Sequence, residues 1–249
     1  MPGPNLFFIN SKDIINNHIV IADATLRHIK KVLRLAKGDR IWAGDDKRRR
    51  YLIELTEIDN KRALAKILEI KESSQLPSKE IILAQSILKG EKMDMLIQKA
   101  TELGIAKIIP VISERTIVKI KEGSAIKEER WQKIAKEASQ QCGRWDIPEI
   151  GHLKGFEDTL ENMKGIDLGL ILWEGERTNR LKTILRSFSG NIKVAGILIG
   201  PEGGFTEKEV GLARQHRFIS VTMGDMILRA ETAAITAIGI IQYEFGIIG

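Results

Sequence analysis

From residue 80 onward the chain alternates short apolar runs with amphipathic stretches, and this alternation constrains the fold more than any other feature. The runs are EIILAQSI, AKIIPVI, DLGLILW, VAGILIG and FISVTMG; helical spacing follows them at 92–103, 127–141, 179–187, 207–216 and 230–243. Strands apolar on both faces must be covered on both sides, and parallel neighbours need a helix to reconnect them. The expectation is an α/β domain on a parallel sheet. In such sheets ligands bind beyond the carboxyl ends of the strands, so the loops after DLGLILW, VAGILIG and FISVTMG are the places to look.

The segment before residue 80 reads differently. IVIAD, DRIWAGD, RRYLIELTEID and RALAKILEI are short, β-branched or aromatic, and separated by turn signals at Gly38-Asp39 and Asp59-Asn60, which predicts a small β-barrel. Residues 24–35 place Leu26, Ile29, Val32 and Leu33 at helical spacing, with Arg27, Lys30, Lys31 and Arg34 largely on the other side. The polar stretch KESSQLPSK at 71–79 reads as a linker, with domains expected at 1–74 and 75–249. Charge divides unevenly: residues 1–78 hold 15 basic and 10 acidic side chains, a net +5, out of +6 for the whole chain. Within 27–50 ten basic residues face three acidic ones, including the run Lys47-Arg48-Arg49-Arg50, and His28 joins that patch. Such a patch suits a polyanion, although a basic run at a hairpin tip is also simply well solvated.

Several classes of chemistry are excluded by motif. No two glycines stand two positions apart, which removes the G-x-G-x-x-G dinucleotide fingerprint, and no Gly-Lys pair exists to make a P-loop. His18, His28, His152 and His216 are too dispersed for H-E-x-x-H, and Cys142 is the only cysteine, so no metal site is expected and a reducing, cytoplasmic setting is. MPGPNLFFINSKD does not read as a secretory signal, and Arg229, Glu231, Gln242 and Glu244 interrupt the apolar C-terminal segment, so no membrane span is expected.

The strand-end loops carry the remaining signal. Gly200-Pro201-Glu202-Gly203-Gly204 lets a backbone approach a ligand closely, though a tight strand-to-helix turn explains it equally well. Thr206 and Glu209, just beyond, have capping-box spacing. In ILRAETAA, Arg229 and Glu231 interrupt an apolar stretch where a helix begins; they either serve a task or pair with each other at the helix N-terminus. The helix that follows is apolar on nearly all sides, so it is expected to be buried in the core or against another subunit.

Four separated segments, LRHIKKVLRLAKGD, KGEKMDMLIQKATELGIAKIIPVISERT, GPEGGFTEKEV and MILRAETAAITA, together resemble the RsmE family of 16S ribosomal RNA uridine-N3 methyltransferases over the whole chain in order. The resemblance implies a SPOUT-type parallel sheet with a deep C-terminal trefoil knot, a PUA-like RNA-binding barrel before it, a homodimer, and S-adenosylmethionine as cofactor. It assigns the cofactor site to Leu172, Trp173, Glu174, Ile199, Gly200, Pro201, Glu202, Gly203, Met223, Gly224, Ile227, Leu228 and Ala233. Arg229 and Glu231 become the catalytic pair: Arg229 stabilises charge on the uracil oxygens, and Glu231 orients Arg229 or accepts the proton. RNA, free or in the small ribosomal subunit, falls to Arg27, His28, Lys31, Arg34, Lys47, Arg48, Arg49, Arg50, Arg115 and Arg144. The chain departs from the family where Met226 replaces a common arginine, and where the Asp46–Arg50 turn carries four basic residues in place of glycine. The rival readings are a SPOUT enzyme acting on another nucleotide and a non-catalytic RNA-binding assembly protein.

Overall fold

The alternation beyond residue 80 folds as a parallel sheet in the computed structural model, which describes residues 6–73, 79–118, 124–188 and 192–248. By packing, the chain divides into two compact units, Met1–Leu76 with Lys136–Ile147, and Pro77–Ala135 with Pro148–Gly249. The expected domain boundary at 74/75 lies outside the described residues, as does most of the expected linker.

The first unit is a six-stranded sheet of β1 (Leu6–Phe8), β2 (Ile14–Ile15), β3 (His18–Ala22), β4 (Arg40–Gly44), β5 (Arg49–Ile58) and β6 (Arg62–Glu72), in the order β1-β4-β5-β6-β3-β2. All pairs are antiparallel except β1 with β4. Among the described residues the ladder ends at β1 and β2 without closing into a complete ring. The sheet curls instead around one core, which Phe7 enters from one edge and Ile19 and Ile21 from near the other. The basic helix expected at 24–35 is α1 (Asp23–His28), continued by a wider π-helical turn over Ile29–Leu33 that ends at Arg34 in the left-handed conformation. Leu26 and Ile29 are buried, with Leu33 and Leu35 packed against the same core.

The second unit carries β7 (Glu80–Ser86), β8 (Lys107–Ile112), β9 (Glu149–Ile150), β10 (Lys154–Gly155), β11 (Leu168–Leu172), β12 (Val194–Ile199) and β13 (Phe218–Val221). The order is β10-β8-β7-β12-β11-β13, with β9 also on β8, and every pair is parallel. Its helices are α2 (Lys92–Glu102), α3 (Ser124–Cys142, whose last residues group with the first unit), α4 (Phe156–Asn162), α5 (Leu181–Ser187), α6 (Glu207–Gln215) and α7 (Ala230–Glu244). Ala84, Ile171 and Leu198 pack with Phe156 and Leu160 of α4 and Val210 and Ala213 of α6. Leu83, Leu170 and Ile197 alternate to the other face and are also fully buried, as a doubly covered sheet requires.

The α7 helix shows two faces where one all-round burial was expected. Ala234, Ala237, Ile238 and Ile241 are buried, and α7 packs on β12, α2 and α5; Ile235 and Ile240 are only half-buried and Tyr243 is exposed. Gln242 ties the helix down by donating to the carbonyl of Leu103 at 2.7 Å, just past the end of α2.

Candidate active site

Because β11, β12 and β13 are neighbours and parallel, their carboxyl ends lie side by side, and the loops leaving them enclose a cavity of about 540 Å³. That volume suits a ligand of cofactor size. Leu172, Trp173 and Glu174 form the wall after β11; Ile199 to Gly204 follow β12; Val221 to Ala230 follow β13, with Ala233 of α7 behind them. All thirteen residues expected to hold the cofactor line this one cavity, and so does Arg229.

Local sequence explains each wall. After β12 the chain must reverse at once into α6, and the N–H of Gly204 donates to the carbonyl of Pro201 at 2.9 Å to close the turn. Gly204 has φ +67°, and the Glu174 carboxylate lies against it so closely that a Cβ there would fall 2.3 Å from Oε1. The capping box then starts α6: the Thr206 N–H donates to Glu209 Oε2 at 2.9 Å and the Glu209 N–H to Thr206 Oγ1 at 3.3 Å. Arg115, expected on RNA, donates from Nη1 to the carbonyl of Gly203 at 2.8 Å.

The loop after β11 is organised by Glu176, four residues beyond the end of the strand. One carboxylate oxygen accepts the backbone N–H groups of Arg177, Thr178 and Asn179 at 2.9–3.2 Å. The other accepts the Ser220 hydroxyl and Arg214 Nη2. Burial alone would raise its pKa; the Ser220 hydroxyl and the three N–H groups outweigh burial and hold it at about 2 against an ordinary 4.5. A depressed carboxylate pKa adds stability above pH 4.5 that disappears as pH falls toward 2. The shift corresponds to about 3 kcal/mol at neutral pH. Chemical denaturation of the protein and of Glu176→Gln is expected to show a gap near this size at pH 6 that narrows steadily below pH 4.5; a pH-independent gap would remove the carboxylate's charge from the account.

Charge at the cavity is arranged differently from expectation. Glu231 does not line the cavity and does not meet Arg229: its Oε1 lies 3.5 Å from the Lys92 ammonium, which is also 3.5 Å from Glu202 Oε1. Glu231 is 7% exposed, whereas Arg229 is exposed, caps α7 with its backbone, and makes no side-chain hydrogen bond or ion pair among the described residues. The expected orienting contact between the two is therefore absent. Lys92 lines the cavity and was missed in the sequence, where attention went to three strand ends and not to KGEK after β7. Met226 and Ile227 beside Arg229 are 84% and 85% exposed.

The basic run of the first unit is mostly committed internally. Arg48 pairs with Asp146, and Arg49 donates from both Nε and Nη2 to Oδ2 of the buried Asp45, at 2.9 and 2.7 Å; the same carboxylate accepts the Tyr51 hydroxyl at 2.9 Å. Arg50 stacks on Trp145 with 4.0 Å to the ring centroid and donates to the carbonyl of Gly143; Arg144 pairs with Asp146 at 2.9 Å. Arg48, Arg49, Arg50 and Arg144, all expected on RNA, thus each have a partner within the first unit. Arg27, Lys31, Arg34 and Lys47 are exposed with no side-chain partner among the described residues, and His28 is half-buried among them in sequence. No group of three or more His, Cys, Asp or Glu residues placed to hold a metal occurs among the described residues.

Residues 74–242 match the RNA methyltransferase domain family and residues 21–68 the RNA methyltransferase PUA domain family. The chain is similar to ribosomal RNA small subunit methyltransferase E of Bacillus subtilis strain 168, with 32% identity over 229 residues covering 90% of this chain and 89% of the relative. It is 34% identical over 229 residues to the protein of the same name from Mesomycoplasma hyopneumoniae, covering 92% and 95%. Among solved structures it resembles ribosomal RNA small subunit methyltransferase E from Neisseria gonorrhoeae bound to S-adenosyl methionine, at 33% identity, TM-score 0.86 and 97% coverage of both chains.

Proposed function

The chain belongs to the ribosomal RNA small subunit methyltransferase E family, and from that premise we propose that it transfers a methyl group from S-adenosylmethionine to N3 of one uridine in 16S ribosomal RNA. The observation that carries the proposal is the single cavity into which three strand-end loops bring every residue expected to hold the cofactor, with the unpaired Arg229 on its wall. The residues fit the group: Leu172, Trp173, Ile199, Ile227 and Leu228 offer apolar surface beside the backbone of Gly200 and Gly203, and the missing Cβ of Gly204 lets the Glu174 wall close against that turn. S-adenosylmethionine supplies an electrophilic methyl on a sulfonium when bound.

The chain's own part is positioning and electrostatics. N3 of uracil becomes nucleophilic only as its proton leaves, and the negative charge spreads onto the two flanking carbonyl oxygens. Arg229, which has no partner of its own among the described residues, offers its guanidinium donors to that charge, and such donors act most strongly on charge that develops in the transition state. Glu231, held by Lys92 outside the cavity lining, is not assigned the proton, which passes from N3 to solvent water. The test is to incubate the protein with methyl-labelled cofactor and unmodified small subunits or 16S RNA, digest to nucleosides and map the label. Label in 3-methyluridine at one position is expected; label in another nucleoside, or none, defeats the proposal.

Finer features follow from the same reading. The C-terminal chain is taken to be knotted, a reading supported by its path: after β12 it crosses β11 to add β13 on the far side, and α7 then returns to β12 and α2. The boundary between PUA-like and methyltransferase domains is placed at 74/75, and the protein in the cytoplasm, where a lone thiol stays reduced. No helix among the described residues is long and apolar enough to cross a membrane. A homodimer is supported by the half-exposed second face of α7 and by Met226 and Ile227; sedimentation at micromolar concentration should give two chains per particle, and a monomer of full activity would rule the dimer out.

RNA is assigned to the cations the fold leaves free. Replacing Arg27, Lys31, Arg34 and Lys47 together should weaken RNA binding and flatten its log–log salt dependence by about 0.7–0.9 per lost phosphate contact. Arg48, Arg49 and Arg50 should behave otherwise: their replacement lowers the melting temperature of the first unit, because each loses an internal partner. An unchanged salt slope in the fourfold variant would move the RNA elsewhere.

A further inference from the structure

Lys92 opens α2, and its ammonium lies between two carboxylates from different loops, Glu202 of the turn after β12 and Glu231 in the first turn of α7. The two anions depend on it unequally. Glu202 also accepts the Lys89 N–H at 3.1 Å and keeps 26% of its side chain exposed. Glu231 is buried, and its second oxygen, Oε2, has no hydrogen-bond partner. A carboxylate in that position is supported by the N-terminal dipole of α7 and by Lys92. Two residues before it stands Arg229, an exposed guanidinium with five donors and no partner of its own. Deprived of Lys92, the Glu231 carboxylate has Arg229 as an adjacent cation on its own chain, and a pair between them would neutralise the guanidinium before any base arrived.

We infer that Lys92 is a positioning residue acting through Arg229: by holding Glu231 it keeps the guanidinium unpaired at the cavity wall. The inference rests on the assignment of Arg229 to the uracil charge. It differs from a plain structural role because the effect falls on kcat, and because removing the captured carboxylate should undo the damage.

The experiment measures kcat at saturating RNA and cofactor, cofactor affinity by calorimetry, and melting for Lys92→Met, Lys92→Arg, Lys92→Met with Glu231→Gln, and Lys92→Met with Arg229→Ala. Lys92→Met is expected to lower kcat about tenfold or more while cofactor affinity moves less than about threefold. Adding Glu231→Gln should restore most of the lost rate, Lys92→Arg should retain it, and Lys92→Met should add nothing to Arg229→Ala. Full kcat in Lys92→Met, a double variant with Glu231→Gln no faster than Lys92→Met, or multiplying losses with Arg229→Ala would each overturn the inference. Should Lys92→Met fail to fold, the double variant with Glu231→Gln, which buries no lone charge, decides alone: a rate above that of Arg229→Ala supports the inference and a rate at or below it overturns it. Undiminished kcat in Arg229→Ala itself would instead remove the underlying assignment, and the inference with it.

Discussion

Gly204→Val is expected to weaken cofactor binding by up to about a hundredfold while leaving the protein folded. The residue sits at φ +67°, where a β-branched side chain is strained by about 1–3 kcal/mol. Its Cβ would also fall 2.3 Å from Oε1 and 2.6 Å from Oε2 of Glu174, so the carboxylate of the neighbouring wall must swing away. The free protein can relieve this strain by shifting the turn at its exposed residues, Glu202 and Gly203. Binding requires the turn to be restored, so the strain is felt as lost affinity, about a hundredfold if it approaches the upper figure. Gly203→Val makes the useful contrast: its Cβ meets nothing nearer than Arg115 Cβ at 3.3 Å and its φ is unremarkable, so a smaller loss is expected there. Calorimetric titration with S-adenosylmethionine, alongside circular dichroism to verify folding, checks both; undiminished affinity in a folded Gly204→Val protein would mean that the cofactor does not use this turn.

How far the sequence carried the reading depended on the range of the interactions involved. Strands such as VAGILIG and DLGLILW are legible because apolar character on both faces and flanking glycines are local properties, and their parallel pairing follows from the helices between them. The helix α4 was overlooked although Phe156, Thr159, Leu160 and Met163 stand at i, i+3, i+4 and i+7, a pattern that would have found it; the helix has only seven residues. Strand β1 was missed because three residues at an edge show no period. The surroundings of the basic run at 47–50 were illegible for a different reason. Arg49 takes the nearby Asp45, but the partners of Arg48 and Arg50, namely Asp146, Trp145 and Gly143, lie more than ninety residues away, and no local rule indicates that arginines at a turn will be taken by a distant loop. The same holds at the active site, where the spacing of Arg229 and Glu231 suggested a mutual pair while the fold supplied Lys92, 139 residues earlier in the chain, to take Glu231 instead.

Arg229→Ala should lower kcat by about a hundred- to a thousandfold at saturating RNA and cofactor, the usual loss when one preorganised donor to a developing anion is removed. The affinity for S-adenosylmethionine should change little, because the guanidinium charge has no reason to favour a cationic sulfonium. RNA affinity should fall only slightly, since the uracil bears its negative charge mainly in the transition state and the free cations of the first unit hold the phosphates. Arg229→Lys separates charge from geometry. An ammonium keeps the positive charge but not the planar fork that can span adjacent carbonyl and nitrogen positions, so it should recover only part of the rate. The alanine variant should also show its deficit easing as pH rises toward the pKa of the uracil N3 proton, because a base that ionises without help needs Arg229 less. A loss confined to RNA affinity, with kcat intact at every pH, would make Arg229 a residue that holds RNA and leave the charge on the uracil oxygens to another group in the cavity.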